Sequence, residues 1–260
     1  MVELDRIYNE DCLVGMQNIP DSSIDCIICD LPYGVLNKQS EGGQWDSIIP
    51  LEPLWEQYKR VIKKNGAIVL FSQGMFTAQL MMSQPRMWRY NLIWDKARAT
   101  GFLNANRMPL RYHEDICVFY NMLPTYNPQM EDLNGREPNH SQGFGDHANK
   151  NSCYGKIGRV YPTYESKKHP RSIIRIKAVH CNEEQFHPTQ KPVELMRYLI
   201  RTYSNKGDTI LDNCIGSGST AVACIQEGRH FIGFEQDKVY FKKALERIER
   251  EQEEIKSALF

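Results

Sequence analysis

The chain has 260 residues, of which 41% are hydrophobic and 25% are charged, and its 32 basic side chains balance its 32 acidic ones. This composition is typical of a folded globular protein and excludes disorder along the whole chain. From the polar N-terminus we expect no signal peptide, and no segment approaches the roughly 18 consecutive apolar residues of a membrane span. We therefore expect a cytoplasmic protein without a membrane segment, in which any nucleic-acid binding depends on locally concentrated positive charge.

Eight cysteines are scattered along the chain, and only Cys26 and Cys29 form a C-x-x-C pair. The pair lies in the apolar run 24–29, where strand geometry sends side chains three positions apart to opposite faces. Because no second pair completes a zinc site, we expect reduced core thiols and no bound metal.

The predicted elements alternate between strands and helices. In chain order they are a strand at 6–9, a helical turn at 13–16, a strand at 24–29, a helix at 51–62 that ends at Lys63-Lys64-Asn65-Gly66, strands at 67–71, 90–94 and 115–120, a helix at 193–204, a strand at 209–212, a helix at 219–227, a strand at 230–235 and a helix from 237 onward. The unbroken apolar run at 24–29 is typical of a parallel strand that is buried on both faces. This alternation predicts an open, mostly parallel α/β sheet with helices on both faces.

Between Leu123 and Cys181 the periodicity fades and polar residues dominate. Nine basic residues face three acidic ones between Arg136 and Lys177, in a chain that is neutral overall. Interleaved tyrosines suit phosphate contact combined with base contact, although a solvated loop has the same composition. The candidate nucleic-acid-binding residues are Lys150, Lys156, Arg159, Lys167, Lys168, Arg171 and Arg175.

A glycine-rich turn follows the strand at 209–212. Gly216 and Gly218 let the backbone approach a ligand closely, and the helix that follows presents free N–H donors. Glu235 ends the next strand, where it is placed to accept hydrogen bonds from ribose hydroxyls, unless it is only a surface acid. Together these features predict a nucleoside-containing cofactor, which is either a dinucleotide or S-adenosylmethionine.

An acid and a proline turn follow the strand at 24–29, in the sequence Asp30-Leu31-Pro32-Tyr33-Gly34. Such turns also occur in a purely structural role. The residue types suit amino methylation, because an exocyclic base amine is a poor nucleophile whose lone pair is delocalised into the ring. A carboxylate and a backbone carbonyl that accept its two N–H bonds would direct the lone pair toward a sulfonium methyl, and Tyr33 offers a face on which an extruded base can stack.

Three segments in this order resemble the amino-methylating DNA methyltransferases of the β type, in which the catalytic motif precedes the cofactor glycine motif. They are an N-terminal block that ends in Asp30-Leu31-Pro32-Tyr33, the segment His187-Pro188-Thr189-Gln190-Lys191-Pro192, and the loop from Asp212 to Thr220. The resemblance implies a Rossmann-like S-adenosylmethionine-dependent methyltransferase sheet with an inserted target-recognition region. It covers nearly the whole chain apart from that insertion.

The resemblance also implies roles and boundaries. The catalytic residues would be Asp30, Leu31 through its carbonyl, Pro32 and Tyr33. The cofactor site would be formed by Asp11, Asp30, Thr189, Lys191, Asp212, Gly216, Gly218 and Glu235. Residues 1–97 would be the catalytic half of the core, 98–181 the last core strand with the target-recognition insertion, and 182–260 the cofactor-binding half.

Two positions depart from the family pattern. Leu31 replaces the first of two usual prolines. Because the group expected to act at this position is the backbone carbonyl, leucine should be tolerated there. Asn213-Cys214 replaces a common Pro-Phe pair, and the lost ring predicts weaker cofactor affinity. Asp30 at the start of the motif favours adenine N6 over cytosine N4, and related motifs in RNA and protein methyltransferases keep those substrates open.

The expected activity is methylation of adenine N6 in double-stranded DNA. Two other classes stay open. An NAD-dependent oxidoreductase would use the glycine loop and the acid, but it leaves Asp30 to Tyr33 unexplained and lacks the third glycine of the dinucleotide motif. A nucleic-acid binder without turnover would explain Leu31 and Cys214, but not the retained Asp30. The partners we expect are DNA, a cognate restriction endonuclease and a second copy of the chain.

Overall fold

A computed structural model of the protein describes residues 2–34, 46–132, 167–179 and 189–258. The strands are β1 (Arg6–Tyr8), β2 (Ile24–Asp30), β3 (Ile62–Ser72), β4 (Trp88–Thr100), β5 (Arg111–Phe119), β6 (Glu131–Asp132), β7 (Lys167–Lys168), β8 (Ile173–Arg175), β9 (Thr209–Asp212) and β10 (His230–Phe234). The helices are α1 (Cys12–Gly15), α2 (Leu51–Val61), α3 (Met75–Ser83), α4 (Val193–Tyr203), α5 (Ser219–Glu227) and α6 (Lys238–Ala258). Two short 3-10 helices cover Met16–Asn18 and Phe102–Asn104.

Eight strands form one sheet in the order β1-β10-β9-β2-β3-β5-β4-β8. The first five strands in this order run parallel to one another, β5 is antiparallel to both β3 and β4, and β8 is parallel to β4. The predicted α/β class and mostly parallel sheet are therefore confirmed. Although β2 and β9 come from opposite halves of the chain, they are neighbours, with Cys26 beside Ile210 and Ile27 beside Leu211.

Two apolar clusters flank the sheet. Alternate residues of β2 enter opposite clusters, because successive side chains of a strand point to opposite faces. Cys26 joins the cluster that includes α4 and α5, whereas Cys29 joins the cluster that includes α2 and α3. The predicted separation of the C-x-x-C pair is confirmed, and both thiols are buried and free.

The predicted end of the second helix is wrong at one point. Lys63-Lys64-Asn65-Gly66 lies inside β3, which begins at Ile62. Ile62 pairs with Ile24 of β2, and the next paired residues are Cys26 and Ala67, so β3 carries the extra residues in an irregular stretch of the ladder. Lys63 Nζ lies 2.6 Å from Asp25 Oδ1, and this ion pair holds the stretch against β2.

The polar middle of the chain also contains strands that the sequence did not indicate. β8 adds an edge to the main sheet through Ile93–Ile173 and Trp94–Ile174 pairing. By contact density the chain divides into one unit of Met1–Asn127 with Ser172–Phe260 and a second unit of Pro128–Arg171. Within the second unit, β6 and β7 pair antiparallel. The 98–181 boundaries of a target-recognition insertion stay a prediction.

No helix in the part of the chain that the structure describes is long and apolar enough to cross a membrane.

Candidate active site

One cavity of about 790 Å³ opens at the carboxyl ends of β2, β9 and β10. Ligands bind at this edge of open α/β sheets, and the volume lies within the range of small-molecule sites. Because the three strands are neighbours, their following loops meet there. The sequence-predicted residues that line the cavity are Asp11, Asp30, Leu31, Pro32, Tyr33, Thr189, Lys191, Asp212, Gly216 and Glu235.

The β9 and β10 side of the cavity is built on Gly216 and Glu235. Gly216 has a φ of +50°, a region that favours glycine, and its N–H donates to Glu235 Oε2 at 2.9 Å. The second oxygen of this carboxylate accepts from Asp237 N at 2.8 Å. Burial raises the pKa of Glu235, and these backbone donors oppose the rise. These two hydrogen bonds fix the carboxylate at the end of β10, beside the cavity.

Gly218 was predicted to line the cofactor site, but it lies outside the residues that line the cavity. It precedes α5 with a φ of +77° and packs beside Ala244 of α6. Its contribution is therefore the left-handed turn that begins the helix. Arg247 of α6 braces the same loop by donating to Ser217 O at 2.9 Å.

Asp212 is a buried support for the loop. Its carboxylate accepts from Thr220 Oγ1 at 2.5 Å and from Cys214 N at 3.1 Å, so it ties β9 to the start of α5. Burial raises its pKa to about 6.

The unusual Asn213-Cys214 pair fits a buried polar network. Tyr58 OH donates to Asn213 Oδ1 at 2.5 Å, and Asn213 Nδ2 lies 3.5 Å from Cys12 Sγ. Asn213 is 2% exposed, so its amide fastens the loop to α2. Weaker cofactor affinity at this position stays a prediction.

On the β2 side, Asp30 is the last residue of its strand and has two side-chain partners. Lys191 Nζ donates to Asp30 Oδ2 at 2.5 Å, and Tyr33 OH donates to Oδ1 at 2.7 Å. The Lys191 side chain is 7% exposed and the Asp30 side chain 21%. Lys191 was predicted to belong to the cofactor site, and its direct ion pair with Asp30 was not expected.

Two further charged residues, Glu114 and Lys96, complete this cluster, and neither was predicted from the sequence. Glu114 of β5 lies 3.3 Å from Lys191 Nζ through Oε2 and 3.3 Å from Lys96 Nζ through Oε1. Two carboxylates therefore face two lysines in a nearly buried cluster without net charge. The sequence carries only a weak signal for these two residues, because charged residues near the end of a strand are common. Which residue such a charge pairs with is decided by the order of the strands in the sheet.

The cluster shifts the pKa values of its members. Burial raises the pKa of Asp30, although the nearby Lys191 ammonium opposes the rise. Burial also works against ionised Glu114, but Lys191 and Lys96 outweigh it and lower the pKa of this carboxyl. For Lys191, the attraction of Asp30 and Glu114 outweighs burial and raises its pKa. Lys191 therefore stays charged beside Asp30.

The turn after Asp30 is fixed on several sides. Leu31 is 3% exposed and packs in the core, and it also lines the cavity. Gly34, with a φ of +69°, donates its N–H to Asp46 Oδ1 at 2.9 Å. Tyr33 packs against Phe76 with 5.4 Å between ring centroids. Burial and the charge of Asp30 raise the pKa of Tyr33, so it remains a neutral phenol.

The predicted nucleic-acid-binding residues fall into two groups. Lys150, Lys156 and Arg159 lie outside the described residues, as do His187 and Pro188 of the pre-cofactor segment. Lys167, Lys168, Arg171 and Arg175 are described and exposed. Lys168 and Arg171 lie 3.0 and 3.5 Å from Glu131, and Arg175 lies 3.7 Å from Asp95.

Metal ligands are not gathered anywhere in residues 2–34, 46–132, 167–179 and 189–258. The expectation that no metal is bound stays a prediction for the whole chain.

The fold and the cavity define a Rossmann-like methyltransferase. The chain belongs to the N6/N4 DNA methylase family, whose model matches residues 24–246. It is therefore a DNA methyltransferase, and the predicted family is confirmed.

Curated relatives extend over nearly the whole chain. The type II methyltransferase M1.MboII of Moraxella bovis is 23% identical and covers 94% of this chain and 96% of its own length. The DNA adenine methyltransferase YhdJ of Escherichia coli K12 is 26% identical over 95% of this chain and 83% of its own length.

Solved structures show the same fold. A complex of M1.HpyAVI with S-adenosylmethionine superposes with a TM-score of 0.60 at 23% identity and covers 93% of this chain and 98% of its own. The cytosine-N4-specific PvuII DNA methyltransferase has a TM-score of 0.66 at 13% identity and covers 94% of this chain and 86% of its own.

Proposed function

We propose that the protein transfers a methyl group from S-adenosylmethionine to N6 of adenine in double-stranded DNA. The observation that carries this proposal is the single cavity that Asp30 shares with Gly216 and Glu235. A donor held by the glycine loop and an amine held by the carboxylate would therefore meet without a barrier between them. Family membership supports DNA as the substrate.

The residues present fit S-adenosylmethionine. Glu235 suits the ribose hydroxyls, the backbone at Gly216 permits close approach, and Asp11 lies at the same wall. The bound group would supply an electrophilic methyl on a positively charged sulfur. An M1.HpyAVI structure that contains S-adenosylmethionine supports the assignment, since it shares this fold.

The chain itself orients the amine. The Asp30 carboxylate accepts one N–H of the exocyclic amine, and the Leu31 carbonyl accepts the other, while Pro32 keeps the turn rigid. Lys191 and Tyr33 each donate to one Asp30 oxygen and so fix the carboxylate, and each oxygen can still accept a further hydrogen bond from the amine. Catalysis is chiefly positioning of the base, which must first leave the helix stack.

Adenine is favoured over cytosine for two reasons. Asp30 opens the catalytic motif, and one relative is a DNA adenine methyltransferase. The fold likeness to the cytosine-N4-specific PvuII enzyme makes cytosine N4 the second candidate. Fold alone does not separate the two bases.

The wider setting is also part of the proposal. Two relatives carry the name type II methyltransferase, which favours a cognate restriction endonuclease as a partner. We propose that the enzyme acts in the cytoplasm, where its DNA substrate is accessible, and that it forms a homodimer. Residues 98–181 would contain the target-recognition region.

Mass spectrometry of nucleosides tests the proposed function. Duplex DNA is incubated with the purified protein and S-adenosylmethionine, digested, and compared with DNA from cells that express the protein. We expect N6-methyladenine at one sequence motif, which methylation-sensitive sequencing identifies. N4-methylcytosine would transfer the assignment to the second candidate, and the absence of any methylated base in both samples would contradict methyl transfer to DNA.

A further inference from the structure

The β4–β5 hairpin carries exposed apolar residues that the catalytic site does not use. Its tip, residues 101–110, connects Thr100 to Arg111, and both of these flanking residues line the catalytic cavity. Phe102 is 67% exposed, Leu103 is 101% exposed and Met108 is 52% exposed. Clustered exposed apolar side chains mark a contact surface more often than isolated ones do.

The hairpin extends past the catalytic edge of the sheet. Ser72, the last residue of β3, pairs with Asp115, so four residues of β5 continue beyond β3. At about 3.4 Å per residue, this extension places the start of the tip about 14 Å beyond the end of β3. Asp30 pairs with Phe71 beside that end, so the tip projects on the side where the target base must enter.

The charge of the hairpin selects its partner. Residues 97–113 contain the exposed side chains of Arg98, Arg107, Arg111 and His113, but no acidic residue. A second copy of the chain would bring the same positive charge to this surface, whereas the phosphates of a duplex complement it. Apolar side chains flanked by basic ones match the wedges with which proteins part base steps.

We infer that the hairpin tip inserts Phe102 and Leu103 into duplex DNA, at the position that the target base vacates. This inference rests on the proposed function, since an enzyme that modifies a base inside a duplex must extrude it. The basic residues around the tip contact the neighbouring phosphates, while the apolar side chains fill the gap and hold the base in the cavity.

The test compares two double variants. Phe102→Ser/Leu103→Ser removes the apolar tip. Met82→Ser/Leu245→Ser is the control, because these residues are 74% and 37% exposed on α3 and α6, outside residues 98–181 and outside the cavity lining. Each protein is given a duplex with its target site, and a second duplex that carries 2-aminopurine at the target position. Fluorescence of 2-aminopurine reports extrusion of the base, and methylation of the first duplex reports kcat/KM.

We expect the tip variant to lose at least about half of the fluorescence increase and to fall about tenfold in kcat/KM. A duplex that lacks the base opposite the target should restore most of this rate, because extrusion of the target then costs less free energy. The control should match the wild type. If the wild type methylates but the tip variant matches it in both measurements, the wedge is overturned and the proposed function stands. The wedge is also overturned if the tip variant loses rate and the duplex that lacks the opposite base does not restore it. The same holds if the tip variant differs from the wild type only in self-association, as measured by sedimentation. If the wild type methylates no DNA, the proposed function itself has failed.

Discussion

At the scale of single residues, the Asp30 carboxylate is the group whose surroundings matter most. A buried carboxylate favours its neutral form, yet the proposed reaction needs an ionised acceptor. Lys191 supplies the opposing charge at 2.5 Å, and Glu114 in turn holds Lys191 in place. Removing one member of such a buried pair leaves an uncompensated charge, which is strongly destabilising.

Lys191→Met tests this electrostatic role. Burial raises the pKa of Asp30 and Lys191 opposes the rise, so loss of the ammonium raises this pKa further. Because the ionised form is the active one, the acid limb of the kcat profile should move to higher pH, and the rate should fall more at pH 6 than at pH 9. A pH–rate profile of methyl transfer measures the shift.

Lys63→Met is the matched control, since Lys63 pairs with Asp25 at the other end of β2. Its acid limb should coincide with that of the wild type. An unchanged acid limb in Lys191→Met would show that Lys191 does not set the protonation of Asp30.

At the scale of elements, the close packing of β10 against the cofactor loop fixes the cavity wall. Gly233 of β10 has little room for a side chain, because an added Cβ would lie 2.4 Å from Ile215 Cδ1, 3.0 Å from Ile7 Cγ2 and 3.2 Å from Ile215 Cβ. Ile215 lines the cavity and also hydrogen-bonds to Phe234 through its backbone. A side chain at position 233 would therefore push the loop that carries Gly216.

Gly233→Ala should lower the free energy of unfolding by about 1–3 kcal/mol through overpacking. It should also weaken binding of S-adenosylhomocysteine, because the loop is displaced. Gly207→Ala is the control, since Gly207 has a φ of +83° and no atom within 4 Å of an added Cβ. That variant should lose about 1 kcal/mol through backbone strain alone and keep its affinity. Equal affinity losses in both variants would refute the role of loop displacement.

The elements also show what a single sequence can predict. Apolar strands such as β2 and β9 were predicted because their burial is encoded locally, and α5 was predicted with its observed ends. β8 was missed because it lies in the polar segment after Leu123, where no periodicity marks it, and because it exists only through its pairing with β4. The segment from Lys63 to Gly66 was predicted to end a helix, because its two lysines, asparagine and glycine resemble a helix stop signal. The contact that places it in β3 instead is the ion pair of Lys63 with Asp25, which lies far away in the sequence.

The candidate site divides in the same way. Asp30 and Glu235 could be predicted, since each follows an apolar strand at an edge where ligands bind. The positions of Glu114 and Lys96 beside Lys191 could not, because they depend on β5 and β4 reaching the same cavity wall. Pairwise geometry across the sheet is a property of the fold and leaves no local pattern in the sequence.

At the scale of the whole molecule, a chain without net charge must hold DNA through local basic patches. Lys167 and Lys168 are exposed in one such patch, although Lys168 also pairs with Glu131. The double variant Lys167→Gln/Lys168→Gln should reduce the slope of log Kd against log salt by about one to two, as expected for the loss of one or two phosphate contacts. Titration of duplex binding at several salt concentrations measures it.

Lys242→Gln/Lys243→Gln removes the same charge from exposed positions of α6 and serves as the control. Its salt slope should equal that of the wild type. Equal slopes in all three proteins would exclude Lys167 and Lys168 from phosphate contact.

The most direct test measures two quantities for the Asp30→Ala variant, its rate of methyl transfer and its affinity for S-adenosylhomocysteine, and compares both with the wild type. We expect transfer to fall by at least about 100-fold, the effect of losing a preorganised polar group, while affinity changes by less than about threefold. Asp30→Asn is measured in the same way. If its thermal unfolding curve matches that of the wild type, misfolding is excluded as the cause of a loss of methyl transfer. Transfer by Asp30→Ala at the wild-type rate would contradict the assignment of this carboxylate as the group that orients the amine.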